Sequence, residues 1–358
     1  MKKHILIVCP YPENEVPGQR LKYEQYFECF RRNGYKISVS PFIEPRFFKI
    51  LYLPGHYTPK IVGVLWGYAK RCLQIVRLPF YDGIYVSLYV TPFGTSFFER
   101  LFRLFSKRMI YDIDDLVYEG RASKYNYMVA PLRWSGKYFY LMKAADQVFI
   151  STPYLESVVR RYTSKIAYIP VTVNTERYFP VQQYSNDTRL VLGWSGSHST
   201  APYLRLLETV LRSLREQYDF RLLVIGAPDF RIEGLDGEAI PWNEATEVED
   251  LQRIDIGLYP LPDEEWVLGK GGGKALQYMA CGIPTVATAI GANFRVIEDG
   301  VSGFLVKSDE EWKARLGELM SDPDLRRRIG QQGRARVVKY NSVFANEPVY
   351  LRIFDEVF

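Results

Sequence analysis

The feature that most limits the fold of this chain is a repeated alternation of short β-branched runs with segments of helical periodicity. The alternation runs through the first half, pauses in a polar stretch near residues 180–188, and restarts in the second half. Strand–helix–strand units of this kind favour parallel sheets with right-handed crossovers. We therefore predict an α/β protein of two Rossmann-like domains that face each other across a cleft.

The predicted domains and strands follow from this rhythm. The first domain is expected to cover residues 1–180 and the second residues 188–338, while residues 339–358 are expected to form a helix that packs back on the first domain. The strands predicted in the first domain are HILIVCP, KISVSPF, GIYVS, RMIYDID, QVFIST and KIAYIP. Those predicted in the second are LVLGWSG, RLLVIG, IDIGLYP, IPTVAT and GFLV.

Cysteine usage and hydropathy favour a reducing compartment. The four cysteines are Cys9, Cys29, Cys72 and Cys281. They have neither metal-like nor redox spacing. The first apolar run, ILIVC, is too short for a signal peptide, and no apolar run reaches the ~20 residues of a membrane span. We expect a cytoplasmic protein, either free or peripheral on the inner membrane face.

Basic residues are concentrated in the first half. Residues 1–180 hold 26 Lys and Arg against 14 Asp and Glu, hence +12, and the remaining residues hold 20 against 27, hence −7. This asymmetry favours an anionic partner such as a membrane surface. A nucleic acid is not expected, because no nucleic-acid-binding module is recognised. Residues 44–80 mix aromatic, aliphatic and basic side chains. This mixture predicts, for part of the segment, either an amphipathic helix in a membrane interface or a core helix with a basic outer face.

The stretch GKGGGKALQYMACG, residues 269–282, places glycines and two lysines directly before a predicted helix. Glycines let a ligand approach the backbone, and a helix N-terminus offers unpaired N–H groups and partial positive charge. A triphosphate P-loop does not fit, because Leu268 stands where the first glycine belongs and Ala275 where the metal-binding hydroxyl belongs. The register of a dinucleotide fingerprint is also missing. The loop therefore predicts a phosphate site of another kind.

Four loops are predicted at the carboxyl ends of strands, where ligands bind in open α/β sheets. Two lie in the first half, PYPENEVPGQR and DIDD. Two lie in the second half, WSGSHSTAPYL and the glycine-lysine loop. This distribution fits a ligand held between two domains, with its phosphates on the second.

Several segments resemble the family 4 glycosyltransferases, particularly bacterial surface-polysaccharide enzymes. Their donor-site segment resembles GKALQYMACGIPTVATAIGANFRVIEDGVSGFLV. Three further segments also look like parts of these enzymes: IDIGLYPLPDEEW, VLGWSGSHSTAPYL and IYDIDD. YIPVTVNTERYFP is similar to the segment that closes their first domain. The resemblance covers nearly the whole chain and implies the glycosyltransferase B (GT-B) fold. It also implies a nucleotide-sugar donor bound mainly by the second domain, transfer with retention of anomeric configuration, and no essential metal.

The chain departs from this family in its donor site. Many members carry two glutamates eight positions apart, and those positions hold Gly269 and Gln277 here. Many also place Arg and Lys in the loop matching WSGSHSTAPYL, which has no cation before Arg205. We predict that Lys270 and Lys274 offset the diphosphate charge instead, helped by the N–H groups of residues 196–198 and 271–274. The predicted donor-binding residues are Ser195, Gly196, Ser197, His198, Lys270, Gly272, Gly273, Lys274 and Gln277, with Gln277 bonding a ribose hydroxyl.

The acidic DIDD segment is assigned to the acceptor. Asp112 and Asp114 share one strand face and Asp115 points elsewhere, which argues against a metal cluster. Asp114 or Asp115 is expected to orient the acceptor hydroxyl or accept its proton, unless the segment only caps the residues that follow. The predicted acceptor-side residues are Gly18, Arg20 and Asp112, and the predicted catalytic residues are Asp114, Asp115, His198 and Lys270.

The expected function is a retaining transfer of a sugar from a nucleoside-diphosphate sugar to an acceptor hydroxyl. The expected acceptor is a lipid-linked saccharide in surface polysaccharide assembly, and no metal or other cofactor is expected. Two alternatives stay open. One is a sugar-nucleotide epimerase or hydrolase of the same fold, and the other is a non-catalytic relative that binds sugar nucleotides or a partner protein.

Overall fold

The computed structural model describes residues 3–51, 53, 55–116, 134–180 and 189–358, which form two compact units. Unit 1 consists of Met1–Pro170 together with Glu347–Phe358, and unit 2 of Val171–Asn346. Each unit is built on a parallel sheet, so the predicted α/β class with two parallel sheets is confirmed. The predicted linker lies, from residue 181 onward, outside the described residues.

The chain passes into unit 2 after Pro170, earlier than the predicted boundary at 180. The intervening segment packs with unit 2, because Val173 pairs with Ser342 and the buried Tyr178 hydroxyl bonds to Glu247. These partners lie far along the chain, so the local sequence pattern does not indicate them.

The six strands of unit 1 are all among those predicted. They are β1 (Lys3–Cys9), β2 (Tyr35–Pro41), β3 (Gly83–Ser87), β4 (Met109–Ile113), β5 (Gln147–Ile150) and β6 (Ile166–Tyr168). They pair in parallel in the order β2-β1-β3-β4-β5-β6. Strands β3 and β4 are buried along their whole length, as expected for a parallel sheet that is covered on both faces.

The helices described in unit 1 include one departure from the sequence pattern. They are α1 (Pro17–Arg20), α2 (Phe27–Arg32), α3 (Pro45–Leu51), α4 (Tyr57–Arg77), α5 (Phe97–Phe105), α6 (Gly136–Ala144) and α7 (Pro153–Val159). The helical periodicity of GQRLKYEQYFECFRRNG favours one continuous helix, but α1 and α2 are separated by a 3-10 turn. The side chains of Gln19 and Glu24 bond to each other and to the loop after β1, which holds this segment in the broken form.

Unit 2 repeats the architecture with six strands of its own. They are β7 (Leu190–Ser195), β8 (Phe220–Ile225), β9 (Gly237–Ile240), β10 (Ile256–Tyr259), β11 (Thr285–Thr288) and β12 (Phe304–Val306). Their order is β12-β11-β10-β7-β8-β9. Strand β9 was not predicted, since GEAI is a short, mostly exposed edge strand without a β-branched run. The described helices are α8 (Glu208–Arg215), α9 (Glu247–Leu251), α10 (Gly273–Ala280), α11 (Asn293–Val296), α12 (Asp309–Ser321) and α13 (Pro323–Tyr340).

The last helix, α14 (Val343–Val357), supplies aromatic residues to the core of unit 1. Tyr350 and Phe354 are fully buried. The ring of Phe354 stacks on that of Phe30, with centroids 4.2 Å apart and an interplanar angle of 14°. The residues from 347 onward therefore belong to the fold that begins at the N-terminus.

Helix α4 bears on one of the two possibilities left open for residues 44–80, the core helix with a basic outer face. Its outward face is apolar rather than basic, and Arg71 is buried beneath it. The alternative of a core helix with a basic outer face is therefore wrong. None of the helices in the described part of the chain is long and apolar enough to cross a membrane.

Candidate functional site

The sheet of unit 2 has a topological switch point between β7 and β10. From β7 the chain moves outward to β8 and β9, and then returns to β10 on the other side of β7. Ligands bind at such points in open α/β sheets, beyond the carboxyl ends of the strands. The two loops that the sequence analysis selected in this half follow these two strands.

Lys274 lies directly beside Gly196, so the structure brings these two loops together. A Cβ atom at Gly196 would lie 2.7 Å from Lys274 Cε and 2.5 Å from Trp194 Cη2. The Lys274 ammonium lies 5.3 Å from the Trp194 ring centroid and 5.4 Å from that of Tyr259. Among the described residues, no carboxylate lies within ion-pair distance of it. Aromatic faces rather than acids hold this cation, so its charge remains available to an anion.

Burial lowers the pKa of Lys274 to about 8, and the charge of Lys270 acts in the same direction. The Lys270 ammonium lies 5.0 Å from the Trp266 ring centroid. The two lysines are thus close enough to repel each other. A bound anion would relieve that repulsion.

The start of α10 adds backbone donors at the same place. Its N-cap is Gly272, with a φ of 76° in the left-handed region, and a Cβ there would lie 2.9 Å from Val296 Cγ2. No side chain caps this helix within the described residues. Its first amides, on residues 273–275, are therefore open to a ligand.

A tyrosine fixes α10 against the sheet. The Ser195 N–H donates to the Tyr278 hydroxyl at 2.7 Å. Glycine at position 257 makes room for that ring, since a Cβ there would lie 2.6 Å from Tyr278 Cδ2. Ser195 is buried and its N–H is used in this contact, so that N–H is not offered to a ligand.

The loop after β7 provides fewer donors than predicted. The Gly196 N–H donates to the Ile225 carbonyl at 2.9 Å, so the prediction that it binds phosphate is wrong. Its contribution is the space occupied by Lys274. Ser197 and His198 are exposed, and the Ser197 carbonyl accepts the Thr200 and Ala201 N–H groups in a turn.

Gln277 is committed to a buried network rather than to an open site. Its Nε2 donates to the Tyr178 hydroxyl and to Glu247 Oε1, both at 3.0 Å, and the Tyr178 hydroxyl donates to Glu247 Oε2 at 2.8 Å. Both amide hydrogens are used within the fold, so the predicted bond to a ribose hydroxyl stays a prediction, in which Gln277 Oε1 would accept. The sequence analysis missed Glu247, which lies thirty residues upstream in a helix without any motif.

Unit 1 has a corresponding switch point between β1 and β3. Asp112 lies on β4, the strand next to β3, and its carboxylate is enclosed. Lys22 Nζ lies 2.7 Å from Asp112 Oδ1, and each side chain is only 2% exposed. The Tyr85 hydroxyl donates to the other oxygen, Oδ2. The predicted acceptor-side role of Asp112 is therefore corrected to an internal ion pair, whose partners Lys22 and Tyr85 the sequence analysis missed.

Asp114, like Asp115, remains partly accessible, whereas Asp112 is buried. The pKa of Asp114 is the one that is strongly shifted. Burial raises its pKa to about 7, Asp112 and Asp115 add to the rise, and Lys22 opposes it. Gly18 faces it, since a Cβ at Gly18 would lie 3.8 Å from Asp114 Oδ2. The structure therefore places Gly18 and Asp114 together, as a carboxyl group beside a position without a side chain.

Two further predicted residues of unit 1 have local roles. Asp115 Oδ1 accepts the Leu116 N–H at 2.8 Å, which matches the capping alternative for this segment. Arg20 is buried, and its charge opposes the rise in pKa that burial gives Glu24. Among the described residues, no group of three or more His, Cys, Asp or Glu is placed to hold a metal ion.

Comparison with known proteins places this arrangement in context. Residues 189–322 match the family model described as "Glycosyl transferases group 1". D-inositol 3-phosphate glycosyltransferase of Arthrobacter sp. (strain FB24) is 31% identical over 141 residues, which are 35% of this chain and 32% of that protein. The protein of the same name from Thermobispora bispora is 42% identical over 81 residues, covering 22% of this chain and 18% of that protein. The matched stretches thus span no more than about a third of these relatives.

Solved structures resemble this chain over nearly its whole length. Sucrose-phosphate synthase from Thermosynechococcus elongatus has a TM-score of 0.72 at 16% identity, covering 99% of this chain and 98% of that one. Anabaena HepE in complex with UDP-glucose has a TM-score of 0.68 at 14% identity, covering 99% and 100%. At such low identity these similarities establish a common fold.

Proposed function

We propose that this chain, which belongs to the group 1 glycosyl transferases and has the GT-B fold, transfers a sugar from a nucleoside-diphosphate sugar to an acceptor hydroxyl. The observation that carries the proposal is the position of Lys274. Its ammonium lies beside Gly196 at the switch point of unit 2, next to the uncapped start of α10, with no carboxylate partner among the described residues. A diphosphate is the ligand whose charge such a site stabilises.

The proposed mechanism assigns the lysines to the leaving group. As the bond from the sugar to the diphosphate breaks, negative charge grows on a phosphate oxygen. Lys274 and Lys270 would stabilise that charge together with the amides at the start of α10, and these groups are already in place before the reaction. We assign Gly272, Gly273, Ser197 and His198 to the same proposed site. We further propose that transfer retains the anomeric configuration and that a donor phosphate oxygen takes the acceptor proton, without an essential metal ion. The metal-free mechanism is tested by measuring sugar transfer with excess chelator, and we expect the rate to be unchanged.

The acceptor is assigned to unit 1. Asp114 faces Gly18 and has a pKa near neutrality, so its carboxyl is suited to bond and orient an acceptor hydroxyl, whose proton passes to the donor phosphate oxygen. The other predicted residues of unit 1 are less suited to this role, because Asp115 Oδ1 accepts the Leu116 N–H and Arg20 is buried. Asp114 is therefore the residue of this group on which the acceptor proposal rests.

The substrate classes are inferred from the relatives and from charge. HepE was solved with UDP-glucose, and we propose a UDP-sugar as the donor here. The curated relatives are named for an inositol 3-phosphate acceptor, and the basic first half of this chain likewise suits an anionic acceptor. We propose a lipid-linked saccharide of surface polysaccharide assembly, met at the cytoplasmic face of a membrane.

The test is titration calorimetry with UDP and GDP on the Lys270→Ala/Lys274→Ala variant. Loss of two charge-assisted contacts is expected to weaken binding of the preferred diphosphate about 10- to 100-fold. Lys307→Ala, an exposed lysine of the same unit, is the matched control and is expected to bind as the wild type does. Equal affinity in the double variant and the wild type would refute the assignment.

One observation favours the alternative of a non-catalytic sugar-nucleotide binder. Gln277, at a position where many family members carry a glutamate, has its amide hydrogens bound by Tyr178 and Glu247. Incubation of a bound UDP-sugar with a panel of anionic and lipid-linked acceptors separates the two functions. Binding without product across the panel would support the alternative.

A further inference from the structure

Helix α4 turns an apolar face outward. Seven large apolar side chains on it are between 54% and 76% exposed: Tyr57, Ile61, Val62, Leu65, Trp66, Leu73 and Val76. Their spacings of three, four and seven residues place them along one side of the helix. Apolar patches of this kind on a folded protein mark an interaction surface.

The opposite side of α4 is tightly fixed to unit 1. Cβ atoms at Gly63 and Gly67 would each lie 2.6 Å from an aromatic ring, those of Phe47 and Phe42. The buried Arg71 donates to the carbonyls of Val90 (2.9 Å) and Cys9 (3.2 Å) at the ends of the sheet. Because the inward face is packed this closely, the fold itself holds the apolar face outward.

The elements that contact α4 also carry exposed apolar side chains. The 3-10 turn Leu78–Phe80 and helix α5 both contact α4. Phe80 is 80% exposed and Leu104 of α5 is 72% exposed. The exposed apolar area therefore continues beyond the helix itself.

The charges around this face are of one sign. No Asp or Glu occurs from Pro45 to Tyr81, and Arg46, Lys49 and Arg77 are exposed. The acid just before this stretch, Glu44, is paired with Lys70. A second copy of this chain would bring two positive borders together, which opposes association. An anionic bilayer instead receives apolar side chains at the acyl boundary and cations at the headgroups.

We propose that the outer face of α4 docks unit 1 on an anionic lipid bilayer, with the helix lying in the plane of the interface. Leu65, Trp66 and Leu73 enter the boundary between headgroups and acyl chains, and Arg46, Lys49 and Arg77 contact the headgroups. Trp66 suits this depth, because an indole prefers the membrane–water interface. The proposal deepens the proposed function, since a lipid-linked acceptor would be reached there.

The experiment is co-sedimentation of the full chain with vesicles of equimolar phosphatidylglycerol and phosphatidylcholine, and with vesicles of phosphatidylcholine alone. Leu65→Gln/Trp66→Gln/Leu73→Gln is expected to lower the partition coefficient at least about 10-fold, because three apolar side chains no longer leave water. The matched control, Leu206→Gln/Val301→Gln/Val338→Gln, changes three exposed apolar residues of unit 2 and should bind as the wild type does. Arg46→Gln/Lys49→Gln/Arg77→Gln should remove most of the preference for the anionic vesicles and of the salt dependence.

The proposal is overturned if the wild type does not bind anionic vesicles at low salt, or if the α4 variant binds them equally well. It is also overturned if ultracentrifugation without lipid shows a wild-type dimer that the α4 variant dissociates, since the face would then be a self-interface. UDP titration of the same variants keeps the two proposals separate. Unchanged UDP affinity shows that the α4 variant is folded, whereas absence of UDP binding by the wild type would contradict the proposed function and leave the vesicle result standing.

Discussion

At the scale of single residues, the two units treat buried charge in opposite ways. Lys274 has aromatic neighbours and no described carboxylate within reach, so its charge is uncompensated. Asp112 has both oxygens engaged by Lys22 and Tyr85. Removing charge from water is costly unless a partner compensates for it. Lys274 and Asp114 are therefore the groups whose protonation is expected to respond to ligand and to pH.

From the lowered pKa of Lys274 we predict that the protein takes up a proton when it binds a diphosphate at alkaline pH. The Lys274 pKa in the free protein is about 8, because burial and Lys270 disfavour the charged form. A bound diphosphate favours the ammonium and raises that pKa, so affinity should fall as pH rises through 8. Titration calorimetry of UDP at pH 8.5, in buffers of different ionisation enthalpy, measures the uptake directly.

Lys274→Arg is the control for this proton uptake. A guanidinium keeps its charge throughout this pH range, so the variant should bind UDP without the alkaline loss. If wild-type binding at pH 8.5 shows no proton uptake, Lys274 does not contact the phosphates.

From the raised pKa of Asp114 we predict that the protein loses stability as the pH rises from acid to neutral. The Asp114 pKa is about 7 in the folded protein, mainly through burial, against ~4 in an unfolded chain. The folded state therefore holds the proton more tightly, and this contribution to the free energy of unfolding is full below about pH 4 and is lost as pH rises through 7. Asp114→Asn mimics the protonated form and should be more stable than the wild type at pH 8, but not at pH 4. Urea unfolding at the two pH values measures the difference.

The exposed Asp263→Asn serves as the reference for that comparison. It should shift stability equally at both pH values. An Asp114→Asn effect that does not change with pH would mean that the fold does not raise the pKa of Asp114 above its unfolded value, which would contradict this prediction.

Sequence locality decides which of these residues could be predicted. Lys270, Lys274 and Gly196 were identified because the strand, loop and helix that place them are each continuous in the sequence. The roles of Gln277 and Asp112 were not, because Glu247 and Lys22, which engage them, are distant along the chain and belong to no motif. Glycines indicated where a backbone approaches a neighbour, but not that Lys274 would be the neighbour of Gly196.

At the scale of elements, strands were easier to predict than the helices between them. Buried strands of a parallel sheet are continuous apolar runs, whatever packs on them. The segment of α1 and α2 has helical periodicity throughout, yet side-chain bonds from Gln19 and Glu24 to the preceding loop interrupt it. Competition of this kind between side chain and backbone depends on the tertiary structure.

The packing of α10 on the sheet, through Tyr278 against Gly257, gives a prediction for this helix. Gly257→Ala places a Cβ 2.6 Å from the Tyr278 ring, so α10 must shift or the strand must distort. Overpacking of this kind costs about 1–3 kcal/mol of stability. UDP affinity should fall too, since Tyr278 aligns α10 with the loop after β7. Urea unfolding and UDP titration measure the two effects.

Gly317→Ala is the matched substitution. It lies in α12, where the nearest neighbour of a new Cβ is the Tyr218 hydroxyl at 3.4 Å. An exchange of Gly for Ala within a helix should stabilise by roughly 0.5–1 kcal/mol and leave UDP affinity unchanged. If Gly257→Ala were no more destabilising than Gly317→Ala and left UDP affinity unchanged, the contact between Gly257 and Tyr278 would not be what holds α10 in place.

At the scale of the whole molecule, the chain starts in unit 1, forms unit 2, and returns to unit 1 at residue 347. Two parallel sheets were predictable, because each needs only its own series of strands. The limits between units were less so, since residues 171–180 contact unit 2 through Ser342 and Glu247. Unit 1 is therefore discontinuous in sequence, and its core depends on Glu347–Phe358, which follow unit 2 along the chain.

Substitution of Phe354 tests whether the core of unit 1 depends on residues 347–358. Phe354 is fully buried among Phe30, Tyr35 and Tyr85, and Phe354→Ala should cost about 3–5 kcal/mol. The loss should appear in unit 1, although the substitution is near the C-terminus. Hydrogen exchange resolved by peptide should show faster exchange in β1 and β3, with β7 and β10 unchanged. Phe344→Ala, in the same helix but 44% exposed and part of unit 2, should leave β1 protected. Equal loss of protection in β7 would show instead that the two units unfold together.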